Sequence, residues 1–169
     1  MPAGKTYTPL ARTTLTSSAA SVTFSNISGS YTDLILVCNT MRTTGLDNIG
    51  VRFNSDTGSN YSWTIIKGSG SAASSDRRSS VTDIIFNVYN NDINTPSVGI
   101  LQIQNYSNTT TYKTALSRSS GSAAGYVYAT VGLWRNTAAI TSITLLDEGS
   151  TSAVINAGST FTLYGILAA

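Results

Sequence analysis

Short runs in which apolar and hydroxyl side chains alternate recur along this chain, and they leave it few ways to fold. Ser21-Val22-Thr23-Phe24, Gly99-Ile100-Leu101-Gln102-Ile103-Gln104 and Thr160-Phe161-Thr162-Leu163-Tyr164 are the clearest of them. Successive side chains on a strand point to opposite faces, so each run is predicted as a half-buried β-strand. The same pattern predicts strands over residues 7–15, 21–24, 32–40, 49–54, 61–67, 83–89, 98–106, 112–117, 126–134, 140–146 and 160–167. Gly, Ser, Asn, Asp and Pro fill the segments between them, as turns and solvated loops require. No segment of useful length carries a helical period.

So many short strands must close on themselves or pack as two sheets. Their even spacing, with no repeat of fixed length, predicts an all-β, single-domain antiparallel β-sandwich of jelly-roll type. A short N-terminal arm is expected over residues 1–11 and the sandwich over 12–169. A chain of 169 residues suits one domain with a real core. Residues 68–80, rich in Gly and Ser around Asp76-Arg77-Arg78, are expected to form a flexible loop that either stays mobile or orders against a partner.

Composition argues against most chemistry. Roughly three residues in ten are Ser or Thr, histidine is absent, and Cys38 is the single cysteine. A zinc cluster and a Ser-His-Asp or Cys-His device are therefore excluded. The eight carboxylates fall mostly in predicted turns or at strand ends, where Asp closes turns through its side chain. Asn54-Ser55-Asp56-Thr57-Gly58-Ser59-Asn60 has alternating oxygen atoms, but it lacks the carboxylates and final Glu of a calcium loop and is read as a turn. The chain is expected not to be an enzyme and to need no cofactor or metal. Its net charge of +2 forms no basic stripe, so no nucleic acid is expected, and no membrane partner either. Charged residues make up 11% of the chain, against roughly 25% in an average soluble domain. A surface of hydroxyls and amides suits a protein permanently packed against neighbours. Met1-Pro2-Ala3-Gly4-Lys5 leads into polar residues with no apolar segment, so folding in a cytoplasm is expected.

Three sets of residues stand out as binding candidates. Over residues 126–134 both strand faces are apolar, so Tyr126, Tyr128, Val131 and Trp134 are assigned to self-association. Tyr7 in the arm and Asp76, Arg77 and Arg78 in the long loop are assigned to a partner protein. Asn60, Tyr61, Trp63, Tyr106 and Tyr112 pair rings with amides near strand ends, as a shallow carbohydrate site does, and equally as a sandwich rim or subunit interface does.

Several segments resemble the small virion proteins of tailed bacteriophages, of the cyanophage kind. They are Lys5-Thr6-Tyr7-Thr8-Pro9-Leu10-Ala11, Tyr31-Thr32-Asp33-Leu34, Arg52-Phe53-Asn54, Val131-Gly132-Leu133-Trp134-Arg135 and Ala157-Gly158-Ser159-Thr160-Phe161-Thr162-Leu163-Tyr164-Gly165-Ile166. The resemblance rests on strand and turn patterns and spans nearly the whole chain. It implies a jelly-roll-like fold, commonly trimeric, and a place in the virion after assembly in the host cytoplasm. The implied role is capsid decoration: a cement protein that binds the major capsid protein lattice and stabilises the head. The alternative is a tail-fibre or tail-tip adhesin that binds host-surface glycan.

Overall fold

The computed structural model describes residues 6–41, 48–87, 95–121, 125–148 and 155–167, and every regular element among them is a strand. In chain order these are β1 (Tyr7–Thr14), β2 (Ser21–Phe24), β3 (Asp33–Thr40), β4 (Asn48–Phe53), β5 (Tyr61–Gly68) and β6 (Ala73–Val81). Then follow β7 (Ile84–Asn87), β8 (Ser97–Ile103), β9 (Lys113–Gly121), β10 (Val127–Trp134), β11 (Ile143–Glu148) and β12 (Thr160–Ile166). They form an eight-stranded sheet in the order β1-β12-β3-β8-β9-β10-β5-β6 and a four-stranded sheet in the order β2-β11-β4-β7. All pairings are antiparallel. The architecture is the all-β sandwich of jelly-roll type that the alternating runs predict.

Each of the eleven predicted strands has its counterpart; the twelfth, β6, was expected to be loop. Residues 73–81 are not a flexible connection but the edge strand of the large sheet, paired along β5 from Gly68↔Ala73 to Tyr61↔Val81. A tight turn through Gly70, at φ 84°, joins the two strands, and Ser80, at φ 56°, is the extra residue where the register shifts. Ala73 to Ser80 are exposed on both faces, so nothing in their hydrophobicity marks them as strand. Backbone pairing alone holds them there, and charged side chains on an outer strand discourage further pairing.

Part of the expected arm is strand. Tyr7 to Ala11 belong to β1 and lie opposite Ile166 to Leu163 of β12; residues 1–5 lie outside the described residues. Pro9 fits there because β1 is the other edge strand, where a missing N–H costs no ladder bond.

The core fills the space between the sheets. Leu34, Leu36, Leu101, Ile103, Phe161 and Leu163 come from the large sheet, and Phe24, Ile49, Val51, Phe53, Ile143 and Leu145 from the small one. Burying each such side chain stabilises the fold by about 1.5–3 kcal/mol. Cys38 is buried within this core and forms no disulfide. Strand β7 lies against the inner faces of β5, β8, β9 and β10, and two glycines admit it. A Cβ at Gly132 would come within 2.4 Å of Ile84 Cγ2, and one at Gly99 within 3.3 Å of the Phe86 ring.

Candidate functional site

The aromatic residues assigned to a carbohydrate site are, with one exception, structural. Tyr61 and Tyr106 are fully buried and Trp63 nearly so, which removes them as an open sugar platform. Tyr61 stacks on Trp134 with centroids 6.2 Å apart, and both rings contact Phe53. The Tyr61 hydroxyl accepts the Phe53 N–H at 3.0 Å and donates to the carbonyl of Phe53 or Asp56. Burial raises its pKa well above the usual phenol range. The Tyr106 hydroxyl donates to the Ser28 carbonyl, and burial raises its pKa too. Tyr112 alone is exposed. The physical reason is the sandwich itself: large amphipathic rings at strand ends close the rim and turn their polar tips to backbone groups.

Residues 54–60 form the turn that the sequence predicts. Asn54 and Ser55 adopt φ of 52° and 55°, which carries the chain around to Asp56. The Asp56 carboxylate accepts the Gly58 N–H at 2.8 Å, the Asn60 amide at 3.0 Å and the Trp134 indole N–H at 2.8 Å. Burial alone would raise its pKa, but these donors from Trp134, Asn60 and Gly58 outweigh it and hold the carboxyl below its ordinary value. Asn54 reaches the other way, donating to the Ala139 carbonyl at 2.7 Å and accepting the Thr141 N–H at 2.8 Å. Asn60 is therefore a member of a structural cluster. Asp83 is likewise occupied, paired with Arg52 at 3.2 Å. Among the described residues no group of three or more His, Cys, Asp or Glu is placed to hold a metal.

The residues assigned to self-association split between two faces. Tyr128 and Trp134 point into the sandwich and are buried, Tyr126 is half-buried and stacks on Tyr128 at 6.1 Å, and only Val131 faces outward and is exposed. Both faces of β10 are apolar because one meets the core and the other is the outside of the sheet. The residues assigned to a partner are separated as well. Tyr7 lies on β1 and Asp76, Arg77 and Arg78 lie on β6, at opposite edges of the eight-stranded sheet. With strands ~4.8 Å apart, seven spacings put roughly 34 Å between them.

The strand registers bring together a group of residues that the sequence reading did not single out. Ladder partners share a face, so the outer surface of the large sheet carries Val37 of β3 and Val98 and Ile100 of β8. It continues with Leu116 and Arg118 of β9, Val127, Ala129 and Val131 of β10, and Ile66 of β5. Ile66 and Val127 are each 61% exposed, Val131 56%, and Val98 and Leu116 51%. At one end of this face the Tyr7 and Tyr164 rings meet edge to face at 6.0 Å. The inner face of β9, by contrast, holds Lys113, Ser117 and Ser119, all buried. The Lys113 ammonium donates to the Thr111 and Thr137 carbonyls at 2.7 and 3.1 Å, and burial lowers its pKa. This strand turns Leu116 and Arg118 outward and keeps Lys113, Ala115, Ser117 and Ser119 inside.

The outside of the small sheet is different. It presents Ser21, Thr23, Arg52 and Thr144, with the Thr23 and Thr144 hydroxyls bonded at 3.0 Å across the ladder. The outside of the small sheet is thus mostly hydroxyl and guanidinium with Leu146 beside Ser21, whereas the outside of the large sheet gathers exposed aliphatic side chains over β8, β9, β10 and β5 among its polar ones.

No protein-family model matches the chain, and no curated protein sequence does. Among solved structures it is similar to the crystal structure of galectin LEC-6 from Caenorhabditis elegans, with a TM-score of 0.43 and 11% identity over 89% of this chain and 94% of that one. At that level the likeness carries no information about ligands or partners.

Proposed function

We propose that this chain is a non-catalytic structural protein whose work is to pack the outer face of its eight-stranded sheet against other protein. One observation carries the reading: five aliphatic side chains, each more than half exposed, share that face, while the outside of the small sheet is polar. Large contiguous apolar patches are uncommon on proteins that work alone and mark interaction surfaces. Seven strand spacings of ~4.8 Å and strands of about eight residues at ~3.3 Å give a face of roughly 900 Å². A stable protein–protein interface needs about 800 Å² from each partner.

The sequence resemblance supplies the setting. In this reading the chain decorates a phage head: copies associate as a homotrimer and seat their apolar faces on the major capsid protein lattice, with the hydroxyl-rich side toward solvent. The carboxylates Asp56 and Asp83 are engaged in turns and pairs that hold the fold, which accords with a protein that performs no reaction.

Particles carrying L116E/V131E provide the test, with T23E/T144E on the opposite face as control. Each variant sets two glutamates directly across a ladder, so both are expected to melt somewhat below the parent and by similar amounts, and both are expected to remain folded under the assay conditions. The first is expected to vanish from purified heads and the second to remain at full copy number, with density repeating over the head lattice in cryo-electron microscopy. Incorporation of L116E/V131E at parental copy number, or density confined to the tail, would overturn the proposal.

A further inference from the structure

The outer face is not uniform. A trough of about 470 Å³ runs across it, and its floor crosses β12, β3, β8, β9 and β10. Val37, Val98, Ile100 and Val127 supply its walls, with Thr162 at one end. Arg118 stands among them, its ladder neighbours being Ile100 on β8 and Ala129 on β10. Among the described residues the guanidinium forms no ion pair.

Among the described residues the charge on this face is one-sided. Arg12 of β1, Arg118 of β9 and Arg77 of β6 share it, together with one acid, Asp33 at the end of β3. The Asp33 carboxylate already accepts the Asn105 N–H at 2.7 Å. A guanidinium set among aliphatic side chains is matched by a carboxylate, which it grips through paired N–H donors once apolar contact has excluded water. A second copy laid face to face on this one would oppose three arginines and one already bonded carboxylate to the same set, so like charges would predominate. The complement is foreign.

We propose that this trough binds an extended segment of a partner protein in which aliphatic side chains flank a carboxylate, and that Arg118 receives the carboxylate. The dimensions set the segment. Five adjacent strands span roughly 19 Å at ~4.8 Å per spacing, the length of about six extended residues at ~3.3 Å each. Arg118 lies on the fourth of the five strands, one spacing from the β10 end, so the acidic residue sits near one end of the segment. Aliphatic contact along β3, β8 and β10 gives the grip, and the charge pair fixes direction and register. This assignment rests on the reading of the outer face as a docking surface and names what that surface selects.

The test uses the full chain and a blocked hexapeptide of alternating Val and Thr with Glu in the fifth place, titrated by NMR. Saturable shifts confined to the trough and to the Arg118 side chain are expected, with an affinity about tenfold weaker when Gln replaces the peptide's Glu. R118Q is expected to lose the same factor for the Glu peptide and to bind Glu and Gln peptides alike. R118K keeps the charge without the paired donors and is expected to fall between. Shifts elsewhere on the molecule, no saturation, or equal affinity of the parent chain for the two peptides would overturn the assignment. So would a dimer in sedimentation that the peptide fails to displace, which would give the trough to a second copy. Failure of the phage-head setting reads differently: L116E/V131E would remain on heads while the peptide still bound the purified chain.

Discussion

Three donors converge on the carboxylate of Asp56, and one of them is the indole of a fully buried tryptophan. Removing the charge loosens the turn and strands the Trp134 N–H at once. D56N is therefore expected to lower stability by about 1.5–3 kcal/mol, the range for hydrogen bonds to a charged group. The pH dependence follows from the same contacts. The folded-state pKa lies below the ordinary carboxylate value, so the stabilisation is fully present above the unfolded value of about 4. It is lost as pH falls through the folded value. Urea midpoints measured from pH 6 down to 2 are expected to fall more steeply below pH 4 for the parent than for D56N.

At the scale of strands, the closest fit in the molecule is where β7 lies on the large sheet. Gly132 faces Ile84 at a distance that leaves no room for a methyl group. G132A is expected to cost about 1–3 kcal/mol through displaced backbone or strained rotamers, read as a lower thermal midpoint with the fold retained. I84A removes all three crowding carbons, so the cost of G132A is expected to be smaller in an I84A background than in the parent.

The strands themselves were legible because alternation is a local property. Ser21 to Phe24 alternates exposed and buried as the residues imply, and β2 has the predicted bounds. What alternation does not give is which face is inside. On β9 and β10 the more aliphatic faces, Leu116 and Val127 with Val131, turn outward, while Ser117, Ser119 and Thr130 are buried. Register with neighbouring strands decides this, and register is a property of the whole sheet. Tyr126, Tyr128 and Trp134 were consequently assigned to a contact surface when two of them are core. Arg118 carries no signal in the sequence, since its setting comes from its ladder neighbours on β8 and β10. Strand β6 escaped for another reason: a doubly exposed edge strand held by backbone pairing carries no hydrophobic signal.

The whole molecule is a slab with unlike sides, and the free chain should behave as one. The aliphatic face, left open, is expected to bind 1-anilinonaphthalene-8-sulfonate in the native state, a dye that reports exposed apolar surface. L116E/V131E is expected to lose most of that fluorescence while staying folded, whereas T23E/T144E is expected to keep it. An unchanged signal in L116E/V131E would place the dye elsewhere.

Arg118 stands mid-sheet, laddered on both sides by β8 and β10, and its immediate neighbours along β9 face the other way into the core. Along these strands odd and even positions therefore answer to separate demands. Folding constrains one set and, under the proposed docking role, recognition constrains the other. A lineage carrying this scaffold can follow a changing partner by rewriting alternate letters of β9 and β10, without renegotiating the fold each time.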